Sequence, residues 1–121
     1  MDINELTGLI VDAAMKVHSA LGPGLLESAY EGCLAFELSD RGVVFQRQLE
    51  LPVHYRDQRI EVGFRIDLLV ADLVVVEVKS VEKLAPIHDA QLLTYLKLTN
   101  KRLRLLLNFN VSRMKEHPAT C

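Results

Sequence analysis

Arg65-Ile66-Asp67-Leu68-Leu69-Val70-Ala71-Asp72-Leu73-Val74-Val75-Val76-Glu77-Val78-Lys79 is the stretch on which the reading of this chain turns. Ile60, Val62, Phe64, Ile66, Leu68 and Val70 alternate in phase, and Val74, Val76 and Val78 resume the pattern after a short break. A period of two marks a strand with one buried face, so two strands joined by a tight turn are expected over residues 59–70 and 74–78. Register then becomes decidable, because a slip of one residue moves every side chain to the opposite face. A two-residue turn at Ala71-Asp72 would oppose Ile66 to Glu77 and Asp67 to Val76, mixing charge into both faces at a desolvation cost. A three-residue turn, Ala71 to Leu73, pairs Ile66 with Val78, Leu68 with Val76 and Val70 with Val74. It leaves one face aliphatic and sets Asp67 directly opposite Glu77.

Opposed residues on an antiparallel pair have Cβ atoms roughly 4.5–5.5 Å apart, where two carboxylates repel unless a positive charge lies between them. A divalent cation suits the place, and Lys79, two residues past Glu77, projects from the same face. Oxygen donors with no His or Cys beside them are hard ligands, which points to Mg2+ or Mn2+ and away from zinc. A metal on Asp67 and Glu77 suits hydrolysis, with Lys79 orienting a water or offsetting transition-state charge. The bland alternative is a surface ion pair between Lys79 and one carboxylate, worth about 0–1 kcal/mol.

Outward from this hairpin, Leu6, Ile10, Ala13, Val17 and Leu21 recur at helical spacing, and Gly22-Pro23 stops a helix begun near Asn4. A second helix is expected from about Leu25 to Ser39, with Tyr30, Leu34 and Leu38 on its stripe and Gly42 beyond its end. Glu27 lies on that stripe, either as an acid favoured by the helix N-terminus or as a functional group. Val43 to Tyr55 reads as an extended strand that Pro52 confines to an edge or bends, and Arg56-Asp57-Gln58 turns it. Pro86 suits the first turn of a third helix, ending near Asn100, that carries Ile87, Gln91, Tyr95 and Leu98 on one stripe. Leu103 to Phe109 is almost wholly aliphatic, the mark of a central strand buried on both faces, and a short polar tail follows Asn110.

Asp67 followed by Glu77-Val78-Lys79 after a hairpin resembles the D…(D/E)xK signature of the PD-(D/E)XK nuclease superfamily. Gly24-Leu25-Leu26-Glu27-Ser28-Ala29-Tyr30-Glu31 resembles the motif that names the GxxExxY family of small proteins assigned to it. The resemblance runs from about Leu6 to Phe109 and implies a restriction-endonuclease-like α/β core, a mixed sheet flanked by helices in the order ααβββαβ. It implies that Asp67 and Glu77 bind metal, that the Val78 carbonyl adds a ligand and that Glu27 approaches the same site. Gln91-Leu92-Leu93-Thr94-Tyr95 is similar to the Q-x-x-x-Y pattern of RecB-like members, which makes Gln91 and Tyr95 substrate or metal-shell groups; taken alone they would close the core. Ile66 stands where the superfamily's name has proline.

With 121 residues, half of them hydrophobic and a quarter charged, the chain has material for one core and is expected to be a single domain over 1–121. A net charge of −2 argues against a protein that coats nucleic acid by bulk electrostatics, though not against an enzyme with an acidic site. Cys33 and Cys121 show neither metal spacing nor a disulfide framework, and no basic leader or apolar run of roughly 18 residues is present. A cytoplasmic protein away from membranes is expected. The four histidines share no ligand spacing, and Lys101-Arg102-Leu103-Arg104 reads as a solvated helix-to-strand junction. Together these features lead to a nuclease acting on DNA or RNA with Mg2+ or Mn2+. The rival is a weak or silent module that binds nucleic acid or protein on the same fold. The apolar stripe of the first helix could pack within the chain or across a homodimer interface.

Overall fold

The computed structural model describes residues 2–81, 86–87, 103–111 and 118–120, with backbone only at 62–64 and 118–120. Helix α1 (Ile3–Leu21) opens on Asp2, whose carboxylate caps the amide of Glu5 at 2.8 Å. Helix α2 (Glu27–Asp40) follows the Gly22-Pro23-Gly24 turn. Both glycines of that turn lie in the left-handed region, with φ of 69° and 101°, which a side chain would strain. Strands β1 (Phe45–Tyr55), β2 (Gln58–Val70), β3 (Val74–Lys79), β4 (Leu103–Asn108) and β5 (Pro118–Thr120) form one sheet in that spatial order. The β3–β4 pair is parallel and the others antiparallel, so the sheet is mixed.

The register is the one required by a three-residue turn: Val70 pairs with Val74, Leu69 with Val75 and Leu68 with Val76. Ala71 and Asp72 take left-handed conformations with φ of 51° and 58° to close it. One side of the sheet, carrying Leu68, Val70, Val74, Val76, Val78, Leu103, Leu105 and Leu107, packs under Leu6, Ile10, Val17, Tyr30, Leu34 and Leu38 of the two helices. The α1 stripe is therefore spent inside the chain, and only Leu21 at its end stays substantially exposed. A smaller cluster joins Ile66, Leu69, Val75 and Leu106, backed by Leu49 and Leu51.

Ile66 departs from expectation. It packs with Leu69 and Val75, not with Leu68, Val76 and Val78. Residues three apart share a face only where the pleat is broken, and the break falls at Asp67, where the β2–β3 ladder ends. Pro52 marks an irregular edge as expected, with β1 at the sheet margin and its register slipping between Leu51 and Val53. The β1–β2 turn is tighter than the polar run suggests: Arg56 and Asp57 alone form it, both left-handed, and Gln58 already pairs with Tyr55.

All six residues of β4 are buried between β3 and β5, which confirms its central place. Strand β5 replaces part of the expected tail. Its three residues carry no readable periodicity, and Pro118 is tolerated because it begins an edge strand. Pro86 and Ile87 are helical; the rest of the expected third helix, with Gln91 and Tyr95, lies outside the described residues.

Candidate metal centre

Strands β2 and β3 part at Asp67, and side chains take over from the backbone ladder there. The Asp67 amide donates to Glu77 Oε1 at 3.2 Å, and the Val78 amide donates to Asp67 Oδ2 at 2.7 Å. Each carboxylate stands where a cross-strand carbonyl would otherwise accept, which fixes both acids at the fork. Because the N–H and C=O of one strand residue point to the same side, the Val78 carbonyl also faces the β2 side.

Glu77 is 5% exposed. Burial first, and then the neighbouring charge of Asp67, push its carboxyl up to about 8, against the opposing pull of the Asp67 amide and the Lys79 ammonium. Lys79 is half-buried at the end of β3, and its carbonyl accepts the amide of Phe109 at 2.8 Å. A buried Glu77 beside a half-buried Asp67, with Lys79 as the nearby ammonium among the described residues, is an acid-rich place, and oxygen donors on the pair suit a hard divalent cation. The residues therefore fit such an ion. Among the described residues no three His, Cys, Asp or Glu side chains converge into a metal cage, so the pair would rely on backbone or water oxygen for its remaining contacts.

Glu27 stands apart from the pair. As the first residue of α2 it occupies the position that the helix dipole favours, and its Oε2 accepts the Ser80 amide at 3.1 Å, one residue beyond Lys79. Ser80 Oγ answers by donating to the Leu25 carbonyl at 2.8 Å. Tyr30, the third motif residue, is fully buried and stacks on Phe109 with ring centroids 4.5 Å apart. Its hydroxyl donates to the Gly22 carbonyl at 2.6 Å and accepts the Leu25 amide at 3.0 Å. In the Gly24-x-x-Glu27-x-x-Tyr30 motif, then, the glycine turns the chain, the tyrosine locks the turn and the glutamate fastens it to the end of β3.

Several groups at the site carry no signal in a motif search. Buried Glu31 accepts Arg47 Nε and Nη2 on Oε2 at 3.2 and 3.0 Å and Gln48 Nε2 on Oε1. Gln48 Nε2 also reaches Asp67 Oδ1 at 3.5 Å. Buried Asn108 accepts the Val81 amide at 3.1 Å and the Asn110 amide at 3.2 Å on Oδ1, and donates to the Val81 carbonyl at 2.8 Å, clamping the segment that leaves β3. Two cues were present: Gln46-Arg47-Gln48 breaks the alternation of β1, and Asn108 is a polar residue in an aliphatic central strand, where burial demands partners.

A mixed sheet backed by two helices, with an acid pair and a lysine where neighbouring strands fork, defines an α/β protein of the nuclease-like kind. The chain belongs to the PD-(D/E)XK nuclease superfamily, whose sequence pattern matches residues 4–119. The crystal structure of SSO0001 is similar in fold, with a TM-score of 0.62 at 20% sequence identity, over 78% of this chain and 50% of that one. This chain thus spans about half the length of that structure. No functionally curated protein matches the sequence. Among the described residues no helix is long and apolar enough to cross a membrane.

Proposed function

We propose that the chain is a nuclease that hydrolyses phosphodiester bonds in DNA or RNA with Mg2+ or Mn2+, working as a single domain. The observation that carries this reading is the reciprocal arrangement of Asp67 and Glu77, two acids held together at a strand fork where burial and mutual repulsion raise the Glu77 carboxyl. Asp67, Glu77 and the Val78 carbonyl would hold the ion. A divalent cation bound there supplies charge neutralisation at the scissile phosphate and acidifies a water. Lys79 holds that water by its ammonium and stabilises the charge that develops on the phosphoryl oxygens. Glu27 keeps the end of β3, and with it Lys79, against α2 through Ser80, and the family resemblance is what would bring it to the edge of the metal shell. Gln91 and Tyr95 enter as substrate-side groups on the strength of their resemblance to the Q-x-x-x-Y pattern.

Labelled single- and double-stranded DNA and RNA, incubated with the protein in Mg2+, Mn2+ or chelator, test the reading. Cleavage is expected with metal and is expected to vanish with chelator and in Lys79→Ala. Tight binding of a substrate without cleavage under any of these conditions would favour the second reading, a silent module on the nuclease fold. The lack of a third acidic side chain converging on the pair among the described residues is the observation on its side.

The same proposal places the protein in the cytoplasm, in keeping with the free, exposed thiol of Cys33, and assembles it as a homodimer. Leu21 and Phe36 leave apolar surface in a groove between α1 and α2. Light scattering at micromolar concentration should give twice the 13.6 kDa of one chain; the monomer mass would reject the dimer.

A further inference from the structure

Gln48 is the one strand residue of β1 whose backbone is left-handed, with φ of 51°. Side chains rarely adopt that region, and its persistence in mid-strand calls for a compensating interaction. The ladder skips this residue without losing register: Arg47 pairs with Leu68 and Leu49 with Ile66 in one continuous register, while the pair between them, Gln48 with Asp67, is missing; the slip between Leu51 and Val53 is a separate irregularity that does change the register. The pairing skips a step at the point where the side chain reaches Asp67.

The orientation of the Gln48 amide follows from its neighbours. Nε2 donates to Glu31 Oε1 and lies 3.5 Å from Asp67 Oδ1, at the long end of a hydrogen bond. Both neighbours are carboxylates that only accept, so the NH2 end of the amide, with its two donors, must face them. Glu31 is itself immobile: its side chain is 7% exposed, and its second oxygen takes the forked contact from Arg47. A relay therefore runs from Arg47 through Glu31 and Gln48 to Asp67.

We propose that Gln48 is a positioning residue for the metal centre: its amide, aimed by Glu31, fixes the rotamer in which Asp67 meets Glu77. This rests on the metal-dependent reading above. The left-handed backbone at 48 directs the amide of this exposed residue toward the two carboxylates, and the relay leaves Asp67 Oδ2 to the Val78 amide while Oδ1 is steered by Gln48. Partners that orient a ligand from outside the coordination sphere typically set metal affinity by about 10–100-fold.

Gln48→Gly and Gln48→Asn test it, since glycine and asparagine both accept the left-handed backbone but neither can span the two carboxylates. Calorimetric titration of the full chain with Mn2+ should show binding weakened by about 10-fold or more in both variants. Their melting temperatures should stay within about 4 °C of wild type, because relief of the backbone offsets the lost side-chain bonds. Equal Mn2+ affinity in wild type and variants would overturn the positioning role alone. A large fall in melting temperature would also overturn it, by making Gln48 a structural residue. Wild-type protein that binds no Mn2+ would overturn the metal reading and this inference with it.

Discussion

Glu77 receives the backbone amide of Asp67 at 3.2 Å, and the carboxylate of that same Asp67 receives the amide next to Glu77 at 2.7 Å. Two acids on neighbouring strands are thus locked together by backbone donors before any ion is considered. The consequence is electrostatic: Glu77, buried beside a second carboxylate, holds its proton up to about 8.

That proton gives the metal-free protein a pH-dependent stability. The unfolded chain releases it near 4.5 and the folded chain near 8, so the folded state binds more protons across that window. The contribution of Glu77 is complete below pH 4.5, declines as pH rises and is gone above about 8; it is on the order of a few kcal/mol. Urea unfolding in chelator from pH 4 to 9 should show the decline in wild type and a flatter profile in Glu77→Gln. Parallel profiles for the two proteins would remove Glu77 as the cause.

Glu27 separates two roles by experiment. Glu27→Gln keeps the reach to Ser80 but loses the charge. A residue serving only the helix dipole would cost about 0.3–1 kcal/mol of stability and leave Mn2+ affinity unchanged. The account predicts a Mn2+ dissociation constant raised by about 10-fold as well, read by calorimetry.

Tyr30→Phe removes the hydroxyl that ties Gly22 to Leu25 while keeping the ring stacked on Phe109. Chemical denaturation should report a loss of about 1–2 kcal/mol. A loss below about 0.3 kcal/mol would show that the glycine turn holds without its lock.

Asn108→Ala strips two hydrogen bonds from the segment after Lys79 and a third from the Asn110 amide beyond β4. A loss of about 1–3 kcal/mol is expected, since the partly buried amide and carbonyl of Val81 lose their partner. Cleavage should fall further than stability explains, because the clamp also fixes the path of the chain that carries Lys79.

Much of this was legible in the sequence because the hairpin overdetermines itself. The three-residue turn and the valine pairing of β2 with β3 followed from keeping one face aliphatic, and that register brought Asp67 near Glu77, though beyond the last pair of the ladder and through side-chain-to-backbone bonds. The break at Asp67 was not legible. Alternation assigns Ile66 to the face of Leu68, and nothing in the composition says that two carboxylates will displace the ladder and swing Ile66 to the other cluster. Glu31, Arg47 and Gln48 escaped for a related reason: their partners lie on different elements, and long-range polar contacts leave no spacing to read. Strand β5 escaped because three residues are too few to show a period. Gln91 and Tyr95 fall outside the described residues.

The central claim is that Asp67 and Glu77 form a metal site which Lys79 serves without binding metal. Calorimetric titration with Mn2+ of wild type, Asp67→Ala and Lys79→Ala tests it most directly. The account predicts a site in wild type, its loss in Asp67→Ala and near wild-type affinity in Lys79→Ala, with cleavage abolished in both variants. Equal Mn2+ affinity in wild type and Asp67→Ala would contradict it.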